Sequence, residues 1–110
     1  MSARLPTALL VGALLRRVND SGGFAAVLAK GDAQAGSTLL ILVDRDGQER
    51  LVERGIGPDG KLRLIDSTPA TGVADYWRRR RDNDPDLWVI EVEDNQGRHF
   101  LTEPVEAPAR

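Results

Sequence analysis

Residues 37–55 read STLLILVDRDGQERLVERG, and the apolar run inside them decides the fold. Leu39, Leu40, Ile41, Leu42 and Val43 follow one another without a polar residue, as in a strand buried on both faces. Asp46-Gly47 then gives a strong hairpin signal. Two registers fit: a two-residue loop sets Leu42 opposite Leu51, and a three-residue loop sets Ile41 opposite Leu51.

Working outward towards the C-terminus, GPDG at 57–60 supplies a turn, because Pro58 presets its dihedral and Gly60 tolerates positive φ. KLRLID at 61–66 alternates and reads as a half-exposed strand. DSTPATG at 66–72 is a linker. A helix is expected over about 73–82, closed by Asp84-Pro85 because the residue before proline avoids the helical region. In LWVIEVEDNQGRHFL, residues 87–101, Trp88, Ile90 and Val92 share one strand face. Leu87, Val89, Glu91 and Glu93 share the other. A three-residue loop at 95–97 would pair Val92 with Phe100 and place His99 on the face of Glu91 and Glu93. Residues 103–110 hold two prolines and no apolar periodicity, and read as a loose tail. That leaves 1–102 as the globular domain.

Working outward towards the N-terminus, residues 5–18 fit either a helix or a buried strand. A strand over about 8–16 is preferred, because a helix over about 22–30 then makes a plausible crossover. Asp20 or Ser21 would cap that helix. Phe24, Val27 and Leu28 would share a face, and Lys30 and Gly31 would end it. The expected fold is α+β (α/β-like): one small domain with a mixed sheet of five to six strands and two short helices.

Composition sets the function classes. At 110 residues the chain is one domain by size, with one modest core. Its net charge of -2 argues against a general polyanion binder. With no cysteine and one histidine, disulfides, thiol nucleophiles and multi-histidine metal sites within the chain are excluded. The apolar stretch at 5–15 is followed by Arg16-Arg17 rather than a small-residue cleavage site. It is also shorter than the ~20 residues a membrane helix needs. A cytoplasmic location and no membrane partner are expected.

WRRRRDNDPDLW at 77–88 resembles a nucleic-acid grip. On a helix, however, Arg78, Arg79, Arg80 and Arg81 spread around most of the circumference. Tyr76 and Trp77 can pack inward with Val73, with Arg80 and Arg81 lying over them, heads in water. Seven acids accompany the four arginines between Asp75 and Asp94, and would repel a polyanion. A solvated helix face is the plain reading. A protein-partner surface at Trp77, Arg78 and Arg79 is the functional one, since tryptophan and arginine are frequent hot-spot residues.

Other motifs carry less chemistry. Glu91 and Glu93 with His99 could form an acid/base pair or hold a divalent ion, which keeps a small hydrolase or metal-assisted enzyme as the alternative function. Cross-strand pairing on a polar face explains them equally. The glycines of DSGGFAAVLAKGD, residues 20–32, match neither a dinucleotide loop nor a Walker loop, so no cofactor is expected. Ser21, Ser37 and Ser67 lack a nucleophile-elbow context. AKGDAQAGS at 29–37 is where a small ligand would bind, through Lys30 and Asp32, although Asp32 also suits a simple Asx-turn.

Two stretches, ALLRRVNDSGGFAAVLAKGDAQAG at 13–36 and DPDLWVIEVEDNQGRHFL at 84–101, resemble a family of small bacterial proteins of unknown function, domain-of-unknown-function family 1491. The resemblance implies a small bacterial α/β protein. It carries over no activity, cofactor or catalytic residue. The function expected is therefore a non-enzymatic cytoplasmic binding or interaction domain. Its partner would be another protein, or a second copy through an exposed edge strand. A nucleic-acid-associated role through residues 78–81 is a further alternative.

Overall fold

The computed structural model describes residues 5–56, 62–93 and 105–106. Two helices, α1 (Thr7–Asp20) and α2 (Val73–Asn83), cover opposite faces of one mixed sheet. The strands are β1 (Phe24–Ala29), β2 (Thr38–Val43), β3 (Glu49–Ile56), β4 (Leu62–Asp66), β5 (Trp88–Glu93) and β6 (Val105–Glu106). Their spatial order is β1-β5-β2-β3-β4-β6. β5 and β2 run parallel, as do β4 and β6, and the other neighbours are antiparallel. The α+β class, the mixed sheet and the number of helices are as the sequence predicts, and α2 lies where it was expected; the other helix does not.

The run Leu39–Val43 is continuously apolar because both faces of β2 are covered. Leu40 packs with Val52, Leu64, Trp88, Ile90 and Val92 beneath α1. Leu39 and Ile41 pack with Leu51, Leu87 and Val89 beneath Val73, Tyr76 and Trp77 of α2. The two faces of β5 are divided as its alternation predicts. The β2–β3 hairpin takes the three-residue loop, with Ile41 opposite Leu51. Gly47 occupies a positive φ of 80°, and the Asp44 carboxylate accepts the N–H groups of Asp46 and Gln48, both at 2.9 Å.

Three expectations fail. Residues 8–16 form a helix rather than a strand. Val11 and Val18 are buried, with Leu14 and Leu15 against the same core, a spacing only a helix brings to one face. Residues 22–30 form an edge strand rather than a helix. Gly22-Gly23 do not begin a helix; they end α1. Gly22 has φ 91°, the Gly23 N–H donates to the Val18 carbonyl, and the Gly22 N–H donates to that of Asn19. This is a Schellman exit. Finally, Val92 pairs with Ala25 on one side and Leu42 on the other. Both edges of β5 are therefore occupied, which leaves no room for a Val92–Phe100 pairing. His99, Phe100, the 57–60 turn and most of the 103–110 segment lie outside the described residues; within that segment, Val105 and Glu106 pair with Leu64 and Ile65 of β4.

Among the described residues no helix is long and apolar enough to cross a membrane.

Candidate functional site

The loop between β1 and β2 holds Lys30 and Asp32, and its polar backbone is largely spent on the fold. The Asp32 carboxylate accepts the N–H groups of Gln34 and Ala35 at 3.2 and 2.8 Å, an Asx-type closure. The Asp32 carbonyl accepts the indole N–H of Trp88 at 2.7 Å. α1 has no side-chain cap. Instead, the N–H groups of Thr7 and Ala8 donate to the carbonyls of Gln34 and Ala33, and the Thr7 hydroxyl to that of Gly36. The loop thus satisfies the open end of α1. Gly31 and Gly36 lie so close to the Asp86 backbone that neither position has room for a Cβ. Lys30 is exposed, and its carbonyl accepts Arg81 Nη2 at 3.0 Å, joining this loop to α2.

The four arginines divide into two kinds. Arg80 makes a paired contact with Glu53 on β3, Nη1–Oε2 at 2.9 Å and Nη2–Oε1 at 3.0 Å. It also donates to the Tyr76 hydroxyl at 3.0 Å. The Ser67 hydroxyl donates to the same carboxylate at 2.6 Å. Arg80 first, and then Ser67, hold the Glu53 carboxyl below its ordinary value against the opposing effect of burial; the Arg80 guanidinium is raised in return. The head of Arg80 is therefore engaged rather than free in water, and Arg81 is tied to Lys30. The remaining two face outward. Arg78 lies over the Trp77 ring, 5.4 Å from its centroid, a cation–π contact. Arg79 is exposed beside it. Trp77 is half-buried, with its inner side against the Leu39–Ile41 cluster.

Glu91 and Glu93 share a sheet face, as predicted, and Glu49 joins them. Glu93 stands between Phe24 and Val43, and Val43 in turn pairs with Glu49. Burial raises the Glu91 carboxyl above its ordinary value, helped by the charges of Glu93 and Glu49. Their expected companion His99 lies outside the described residues. Among the described residues no three acidic or histidine side chains converge as metal ligands would.

Two features carried no readable signal as sites. A cleft of about 720 Å³ opens beside α1, with Leu10, Leu14, Leu40, Val52, Glu53 and Arg80 among its lining. The edge strand β1 exposes Phe24, Val27 and Leu28. The spacing of those three had suggested a helix face.

Among the described residues, a mixed sheet of six strands with one helix on each face defines a small α+β domain. The chain belongs to the DUF1491 family, proteins of unknown function, whose profile matches residues 5–102. It is similar to the crystal structure of a DUF1491 family protein from Caulobacter crescentus CB15, at 45% identity and TM-score 0.81, covering 94% of this chain and 100% of that one. An NMR structure of a DUF1491 family protein from the same organism gives 44% identity and TM-score 0.79, covering 96% and 99%. The solution structure of protein Atu0922 from A. tumefaciens gives 31% and 0.73, covering 97% and 100%. No curated protein matches the chain.

Proposed function

We propose that the protein is a non-enzymatic cytoplasmic interaction domain whose contact surface is the outer face of α2, at Trp77, Arg78 and Arg79. The observation that carries this reading is the division of the arginines. Arg80 and Arg81 hold the helix in place, which leaves a rigid base for the two that point outward. Arg78 is preset by its stacking on Trp77, so less side-chain freedom is lost when it meets a carboxylate. The complementary partner is an acidic protein surface. The lack of cysteine suits a reducing compartment.

The test is co-purification from the native host, comparing the wild-type chain with Arg78→Glu/Arg79→Glu. The expected result is a stoichiometric acidic partner that the double variant loses while its melting temperature stays unchanged. A partner retained by the double variant, or none with either chain, overturns the reading.

A further inference from the structure

β1 is hydrogen-bonded to β5 along one side, and among the described residues no strand lies along the other. The Ala25 N–H donates to Asn19 Oδ1 at 3.2 Å, so it points away from β5. Backbone groups alternate along an antiparallel ladder. The carbonyl of Ala25 and the N–H of Val27 therefore point outward, while Phe24 and Ala26 bond inward to Glu93 and Glu91.

Exposed edges are ordinarily protected by charged side chains, proline or bulges. This edge, FAAVLA, carries no charge or proline. Phe24, Val27 and Leu28 are 50%, 38% and 41% exposed. Among the described residues, its protection is limited to Asn19 at one end and the irregular register between Val27 and Ala29 at the other. A strand laid antiparallel against this edge would bond to the Ala25 carbonyl and the Val27 N–H, and set one of its residues directly opposite Ala26.

That register position specifies the occupant. Ala26 pairs with Glu91, so the incoming side chain lies on the Glu91 face with only a methyl group between. Strands are spaced about 4.8 Å apart, within reach across one alanine for a lysine or arginine. Glu91, Glu93 and Glu49 lack an ion-pair partner among the described residues, and burial first, then the charges of Glu93 and Glu49, push the Glu91 carboxyl upward. We propose that β1 accepts an extended segment of a partner protein as an added antiparallel strand, with a lysine or arginine opposite Ala26 reaching Glu91. This site shares no residue with the Trp77–Arg79 surface and has the opposite charge preference.

The test uses a capped nine-residue peptide of alternating threonine and valine with lysine at its centre, and a second with glutamate there. Binding to the full chain is followed by NMR, with amide exchange read at Val27. The expected result is slowed exchange at Val27 with the lysine peptide, and much weaker binding of the glutamate peptide. Glu91→Gln should weaken the lysine peptide about threefold, as expected for one partly exposed charge pair. Ala26→Lys supplies the cation internally, so it should raise the melting temperature and abolish lysine-peptide binding. Slowed exchange elsewhere but not at Val27, or equal binding of the two peptides, overturns the proposal. So does a free protein that is already a dimer and becomes a monomer on Ala26→Lys, because a second copy would then be the occupant.

Discussion

Arg80 meets Glu53 through two hydrogen bonds of 2.9 and 3.0 Å, and this contact fixes α2 on β3. Neither residue is fully buried: their side chains are 35% and 22% exposed. The pair is partly desolvated, and losing one partner leaves the other a poorly solvated charge. Arg80→Ala should cost about 1.5–3 kcal/mol, the range for hydrogen bonds to charged groups. Arg80→Lys should recover only part of this, since an ammonium cannot reproduce the fork. Thermal unfolding of both variants checks the claim, and an unchanged melting temperature for Arg80→Ala would refute it.

The same pair shapes the acid limb of stability. The Glu53 carboxyl is held below its ordinary value near 4.5. Its contribution is therefore present above that value and is lost as pH falls through the lower folded value. Glu91 behaves in the opposite sense. Its carboxyl is raised, so its contribution is present below the ordinary value and lost as pH rises through the folded value. Glu91→Gln should stabilise the protein at pH 7 and have little effect at pH 4. Urea titrations at the two pH values would show this; a variant less stable at pH 7 would contradict it.

Leu51 is fully buried, and its N–H donates to the Thr68 hydroxyl at 2.9 Å. Thr68→Val keeps the shape but removes that acceptor. The expected cost is about 1–3 kcal/mol, the penalty for a buried donor left unmet. Thr68→Ser keeps the oxygen and should cost less. Equal stability of the valine and serine variants would count against the bond.

Gly36 and Gly22 differ in kind. Gly36 faces the Asp86 backbone with no room for a methyl. Gly36→Ala should therefore cost about 3 kcal/mol, the upper end of overpacking. Gly22 has open space around it and φ 91°. Gly22→Ala should cost only the left-handed backbone penalty, roughly 1–2 kcal/mol. Chemical denaturation of the two variants should give this order; the reverse order would overturn the packing argument.

Much of the sheet was legible because its signals are local. Leu39–Val43 announced coverage on both faces, and the alternation in Trp88–Glu93 divided its side chains correctly. The first third of the chain misled because Gly22-Gly23 suit a helix start as well as a helix exit. Which one forms is decided by β5, whose Val92 waits far along the chain to pair with Ala25. The outward face of α2 could be read from helix geometry alone. The engagement of Arg80 could not, since Glu53 belongs to another element. Glu91 and Glu93 were visibly on one face, but the arrival of Glu49 beside them depends on the strand order.

That strand order also dictates a sequence of events during synthesis. β2, β3 and β4 are consecutive neighbours and can assemble as they leave the ribosome, since nearby segments close their contacts first. β1 emerges earlier than all of them but has no place until β5 has entered beside β2. A nascent chain halted before Trp88 therefore presents β1 as an unpaired, apolar arm. For this protein the vulnerable moment is the interval in translation between Ala29 and Glu93, when the arm is finished and its docking strand is not yet made.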